Sequence, residues 1–198
     1  MVQRLITALV NVSIHLSHAC GILCERARHI GNCLNQSMNI DKSAVFSELF
    51  IQLEKSFLAA TDAAEGARQL ATHEQSKPET QYDTVGLEAS YLAHGHSQRA
   101  ADLANAIEDW KILQHKVFNN ESTIDAGALV ELIDSDEISK MFLIGNYSGG
   151  LKIEVSDEVV TVITLSSPLG GAMKSKQVDD EFQHPVNAKL TLEITHLV

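Results

Sequence analysis

The stretches that decide the fold are Phe46–Ala71, FSELFIQLEKSFLAATDAAEGARQLA, and Tyr82–Val117, YDTVGLEASYLAHGHSQRAADLANAIEDWKILQHKV. In both, residues recur at alternating spacings of four and three, which is typical of two helices packed along a shared seam. The predicted seam of the first stretch is Phe46, Phe50, Leu53, Phe57, Ala60, Ala64, Ala67 and Ala71. That of the second is Tyr82, Gly86, Ala89, Ala93, His96, Ala100, Leu103, Ile107, Trp110, Gln114 and Val117.

The predicted seam is bulky at one end of each stretch and small at the other. A chain folded back near Pro78 sets Phe46 and Phe50 beside Ile107 and Trp110. Small seam residues let helix axes approach closely, because the interaxial distance follows the side chains at the contact. We therefore predict an antiparallel helical hairpin (a coiled coil) that tapers toward its tip, with an arm of roughly 45–50 Å.

Helix-boundary signals frame the two stretches. Asp41 or Asn39 suits the N-cap of the first helix, which we expect to end near Gln75. The run 76–79, Ser-Lys-Pro-Glu, has the pattern of a capping box that starts the second helix, and this helix should end near Gln114.

The predicted tip is acidic, with Glu74, Glu79 and Asp83. Glu79 and Asp83 are four residues apart and leave one helix face, so they can hold a Mg²⁺ ion jointly with ligands from a partner. The alternative is that Glu79 only caps the helix and Asp83 only complements its dipole. Spacing alone favours this second interpretation.

The net charge of −11 is unevenly distributed, because residues 1–37 carry +2 and the remainder −13. So acidic a body is unsuited to gripping nucleic acid through its phosphates, which requires clustered Lys and Arg. A protein with a basic surface, or a metal ion, is the more suitable partner. The body has no cysteine and therefore suits a reducing compartment.

Residues 1–37 admit three interpretations. The apolar run 5–14 weakly resembles a secretory signal, but it is interrupted by histidine and too short to span a bilayer. Patterned sequence begins at Met38, so we favour an upstream extension over a signal. A zinc site built from Cys20, Cys24, Cys33 and His29 is disfavoured because the spacing matches no common ligand pattern.

Beyond Val117 the pattern changes to short β-type runs, after a turn at 119–122. Ser167 and Pro168 have the pattern of a cap and first residue of one short helix. One sheet with one helix makes a small α+β domain. We predict domains at 1–37, 38–117 and 118–198, with strands at 128–133, 140–144, 151–155, 159–165 and 190–197.

The hairpin, together with Ser167-Pro168-Leu169-Gly170-Gly171-Ala172-Met173-Lys174, resembles the bacterial Gre family of transcription elongation factors. The preceding run 160–164 and the run 178–181, Val-Asp-Asp-Glu, are similar to the family's strand and V-G-D-E turn. The likeness covers most of residues 40–198. It implies an FKBP-like C-terminal fold in a cytoplasmic protein that docks on RNA polymerase beside its secondary channel.

The resemblance also implies roles for single residues. Glu79, with Asp83 and Glu74 as substitutes, would help hold a Mg²⁺ ion of the polymerase for cleavage of backtracked RNA, the polymerase supplying the main ligands. The chain would then be no enzyme and have no cofactor of its own. It would contact nucleic acid only inside the polymerase complex, and it would not bind a membrane. The implied docking residues are Ser167, Pro168, Leu169, Tyr147 and Asn146.

The sequence departs from the family at several positions. Ser76 stands where the family has Asp, and the segment before Tyr82 is one residue shorter. The acidic turn G-x-x-E-A-D is replaced by residues 145–150, and Ser175 and Asp179 replace glycines. The likeness therefore favours polymerase binding over RNA cleavage. The alternative is a non-catalytic hairpin that binds another protein subunit. Prolyl isomerase activity is disfavoured, because few aromatic residues follow residue 120.

Overall fold

The computed structural model describes residues 40–73 and 84–198. Within them two long helices, α1 (Lys42–Thr72) and α2 (Val85–Leu113), precede the strands. The sequence-based expectations for residues 1–37, for the capping box at 76–79 and for the acidic tip lie outside the described residues. The predicted domain boundaries stay a prediction; the hairpin and the sheet belong to one unit, Ile40–Val198.

Helix α1 begins where a side chain can replace the missing backbone partner. Asp41 is the N-cap, and its Oδ1 accepts a hydrogen bond from the Ser43 amide at 2.9 Å. Ser43 also donates its hydroxyl to the same carboxylate at 2.6 Å. Asp41, one of the two predicted caps, is therefore confirmed.

The two helices pack against each other along the predicted seam. Every seam residue of α1, and every one described in α2 up to Gln114, is buried or half-buried. At the bulky end the rings of Phe46 and Trp110 meet edge to face, with centroids 5.8 Å apart. We call this end, where α1 begins and α2 ends, the base of the hairpin. The fold class predicted from the seam, a helical hairpin followed by a sheet with a short helix, is confirmed.

One predicted seam position of the second helix is wrong. Val117 is 91% exposed, because α2 ends at Leu113 and the chain leaves the seam before it. The described helix begins at Val85, after Thr84, which has the non-helical angles φ −112° and ψ 3°; the predicted start at the capping box lies outside the described residues. The Thr84 hydroxyl donates to Glu88 Oε1 at 2.7 Å, and Glu88 lies in the first turn, where a carboxylate complements the helix dipole.

The C-terminal module is one six-stranded sheet in the order β3-β4-β2-β1-β6-β5. Strands β2 and β4 are parallel and the other neighbouring strands are antiparallel. The strands are β1 (Leu129–Asp134), β2 (Ser139–Gly145), β3 (Lys152–Val155), β4 (Glu158–Thr164), β5 (Glu181–Gln183) and β6 (Thr191–Leu197).

The five predicted strands correspond to β1–β4 and β6, with ends shifted by one residue at most. The three-residue edge strand β5 was missed, because so short a run has no periodicity to read. The short helix α3 (Pro168–Met173) is confirmed with Ser167 as its cap. Met173 is fully buried and joins a core formed with β1 and β6, including Val130, Leu132 and Ile194.

The base of the hairpin contacts the sheet as well as its own partner helix. Trp110 is fully buried, and its indole ring lies on the backbone of Gly145, at the end of β2. A Cβ atom at residue 145 would come within 2.2 Å of the Trp110 ring, so only glycine fits there. Val45 and Leu49 of α1 are also fully buried, although neither belongs to the seam. The hairpin is thus anchored by a second apolar face.

Among the described residues, no helix combines the length and the apolar character needed to cross a membrane.

Candidate functional site

The three acidic residues predicted for catalysis and metal binding, Glu74, Glu79 and Asp83, all fall in the segment that joins α1 to α2. This segment lies outside the described residues, so their role stays a prediction. The nearest described carboxylate on α2 is Glu88, which is held by Thr84. Within the described ranges no group of three or more His, Cys, Asp or Glu side chains could hold a metal ion.

The predicted docking residues lie in two segments that follow parallel strands. Asn146 and Tyr147 form the start of the loop directly after β2, and Ser167, Pro168 and Leu169, the cap and first residues of α3, come shortly after β4. Because β2 and β4 are parallel, with Gly145 opposite Thr164, both loops leave the same edge of the sheet. The Leu165 amide donates to the Gly145 carbonyl at 3.1 Å and continues this pairing beyond the strands. The structure therefore brings the two predicted segments together.

The loop after β4 is held by its own serine. Ser167 Oγ donates to the Thr164 carbonyl at 2.7 Å and accepts from the Gly170 amide at 3.1 Å. These two bonds fix the entry into α3 and leave Pro168 exposed at its first position. Ser167 thus positions the loop, and Pro168 is the residue that it presents to solvent.

An open cleft of about 440 Å³ runs along this surface. It is lined by both loops and by the turn between β5 and β6: Gly149, Gly150, Thr161, Val162, Ile163, Thr164, Ser167, Pro168, Leu169, His184, Pro185 and Val186. Val186 is 80% exposed, and Tyr147 on the neighbouring loop is 44% exposed. A largely apolar, solvent-exposed cleft with few charges is typical of a protein-binding surface.

Asn146 has an intramolecular role. Its Nδ2 donates to both carboxylate oxygens of Asp109 on α2, at 3.1 Å and 3.3 Å. Together with the contact between Trp110 and Gly145, this fixes the base of the hairpin at the same sheet edge as the cleft. Sequence reasoning missed Asp109, because a pair separated by 37 residues leaves no periodic signal.

No protein-family model matches the sequence, and no curated protein matches it. Two solved structures are similar in part. GreA factor homolog 1 (Gfh1) of Thermus thermophilus aligns with a TM-score of 0.32 at 18% identity, over 75% of this chain and 94% of that one. A structure described as the transcription factor Gfh1 aligns with a TM-score of 0.31 at 21% identity, over 78% and 93%. Scores this low carry no activity over to the present chain.

Proposed function

We propose that this protein is a non-enzymatic transcription elongation factor that binds RNA polymerase and acts through its secondary channel. The observation that carries the proposal is the antiparallel hairpin with a small-residue seam, joined at its base to a sheet with the Ser167-Pro168-Leu169 loop. Helix α1 has 31 residues, hence a length of about 45 Å, long enough to reach into a deep channel. We place the protein in the cytoplasm, where its partner works.

The outer surface of the hairpin supports a protein partner. Four large apolar side chains in the half that leads to the tip are between 51% and 69% exposed: Leu70, Leu87, Tyr91 and Leu92. Exposed apolar side chains gathered on one part of a surface are characteristic of a binding site. A hairpin surrounded by the walls of a channel would cover them on more than one side.

The cleft on the sheet supports a second contact with the same partner. Docking through Pro168, Leu169 and Tyr147 would hold the sheet at the rim of the channel. The hydrogen bond between Asn146 and Asp109 would then fix the hairpin relative to the docked sheet. Glu79, with Asp83 and Glu74, would then help coordinate a Mg²⁺ ion that belongs to the polymerase, and the chain would have no metal ion of its own.

The test of the catalytic part is a transcript-cleavage assay on stalled, backtracked elongation complexes. If the wild-type protein shortens the RNA, the double variant E79Q/D83N should no longer shorten it while still binding polymerase. The matched control is E54Q/D62N, which removes the same charge from exposed positions on α1 and should cleave like wild type. Equal cleavage by both double variants would contradict the assigned roles.

If the wild type binds polymerase but does not stimulate cleavage, the binding part of the proposal holds and the cleavage part fails. The missing cleavage would then be assigned to Ser76, which stands where the resembled family has a carboxylate. The S76D variant should then gain cleavage. Absence of both binding and cleavage would leave the alternative, a hairpin that binds another protein subunit and has no role at a metal site.

A further inference from the structure

Lys42 occupies an unusual place at the base of the hairpin. It is the first residue of α1, it is half-buried, and its Nζ donates to the Lys116 carbonyl at 3.0 Å. The same Nζ lies 4.8 Å from the centroid of the Phe118 ring. None of the ion pairs between described residues includes Lys42. Its charge is therefore supported by one carbonyl and one aromatic face.

An open cavity of about 440 Å³ adjoins this amine. Its apolar lining includes Phe46, Phe50 and Phe118. The charged or titratable groups among its other lining residues are Asp41, His115, Lys116 and the backbone carboxylate of Val198, the last residue of the sequence. Asp41 is engaged with Ser43, and Lys116 is paired with Asp125 at 3.0 Å, so neither neutralises the Lys42 ammonium.

Two physical effects act against the charged form of Lys42. Burial removes water from the ammonium and lowers the pKa of Lys42 from 10.5 to about 8. The first position of a helix lies at the positive end of the helix dipole, which also disfavours a cation. A lysine desolvated in a largely apolar pocket is a recognised form of activated nucleophile.

We propose that Lys42 is a nucleophilic lysine that is acylated by small acyl phosphates entering the cavity beside Phe118. The lone pair of the neutral Nζ attacks the acyl carbon, and the bond from that carbon to the bridging oxygen breaks. Phosphate leaves with the electron pair, and the nitrogen releases one proton to solvent. The product is a neutral amide that retains one N–H, able to donate to the Lys116 carbonyl.

The test uses the full chain and acetyl phosphate, with each site quantified by peptide mass spectrometry. Lys55 is the internal control, since it lies on the same helix and is exposed. At pH 7.5 Lys42 should be acetylated at least about tenfold faster than Lys55, because a larger share of its amine is neutral. The rate at Lys42 should level off above about pH 8, whereas that at Lys55 should keep rising toward pH 10.

Two further measurements tie the reactivity to the fold. In urea the two lysines should react at equal rates, because the cavity is lost on unfolding. The K42R variant should lose acetylation at residue 42 and leave the rate at Lys55 unchanged. Equal rates in the folded protein, or a preference for Lys42 that persists in urea, would overturn the proposal.

Discussion

At the scale of single residues, two of the positions that depart from the resembled family have backbone angles that favour glycine. Ser175 and Asp179 replace family glycines, and they have φ angles of 64° and 70°. This left-handed region is open to glycine and costs an ordinary L-residue about 1–2 kcal/mol. Asp tolerates it better than Ser, because its short polar side chain bonds locally. The strain is therefore expected to be larger at Ser175.

The variant S175G should raise the free energy of unfolding by about 1 kcal/mol, since it removes this strain. The control S175A keeps a Cβ atom and should leave stability nearly unchanged. Urea unfolding followed by circular dichroism measures both. A lower midpoint for S175G than for S175A would contradict the argument from the backbone angle.

Asp134 stabilises the turn between β1 and β2 through its carboxylate. Oδ1 accepts from the amides of Asp136 and Ile138, at 3.1 Å and 3.0 Å, and Oδ2 accepts from Lys140 Nζ at 3.2 Å. The Ile138 amide is the main reason that the pKa of Asp134 lies below its ordinary value of 3.8, with Lys140 adding to the effect.

Because the folded state lowers this pKa, the carboxylate contributes stability that is complete above about pH 4 and is lost as the pH falls through the folded-state value. The D134N variant cannot titrate here. The wild type should therefore be more stable than D134N at pH 7, and the difference should shrink below pH 3.8. Unfolding curves of both proteins between about pH 2 and pH 7 measure this difference in stability. A difference that is constant with pH would count against the turn interaction.

At the scale of elements, the two adjacent glycines of α3 have different surroundings. A Cβ atom at Gly170 would lie 2.1 Å from the Thr164 carbonyl oxygen, a backbone atom that cannot move aside alone. At Gly171 the nearest atom, the Leu165 carbonyl oxygen, would lie at 3.7 Å, an ordinary contact. The first glycine is thus required by packing and the second is not.

We expect G170A to destabilise the protein by about 1–3 kcal/mol through overpacking. G171A should be neutral or stabilise by up to about 1 kcal/mol, because alanine is the better helix former. Thermal unfolding of the two variants gives the comparison. If both behaved alike, α3 would not be seated against β4 as described.

The helix seam was predictable because periodicity is a local property of sequence: the alternating spacing of four and three within each helix identifies the seam residues directly. The second buried face was not predictable in the same way. Val45 and Leu49 are buried because the sheet meets α1, and Leu113 is buried at the end of α2. A contact with a distant part of the chain leaves no signature in the spacing of either helix. Val117 was wrongly assigned to the seam because the four-three spacing continues past Leu113, where the helix ends.

At the scale of the whole molecule, the sequence predicted the parts of the candidate docking surface but not their assembly. The 145–150 turn and the Ser167 loop were recognised separately. Their meeting depends on the parallel register of Gly145 with Thr164, which follows from the strand order β4-β2-β1. The bond from Asn146 to Asp109 likewise depends on where the hairpin base meets that edge.

The central claim is that the hairpin and the sheet engage RNA polymerase together. The most direct measurement is equilibrium binding of the full chain to purified core polymerase, compared with the double variants L87S/Y91S on the hairpin and Y147A/P168A on the sheet. The account predicts saturable binding by the wild type and at least about tenfold weaker binding by each variant, a loss of about 1.4 kcal/mol. Circular dichroism should show all three folded, since the four side chains are exposed. No binding by the folded wild type, or equal binding by all three proteins, would contradict the account.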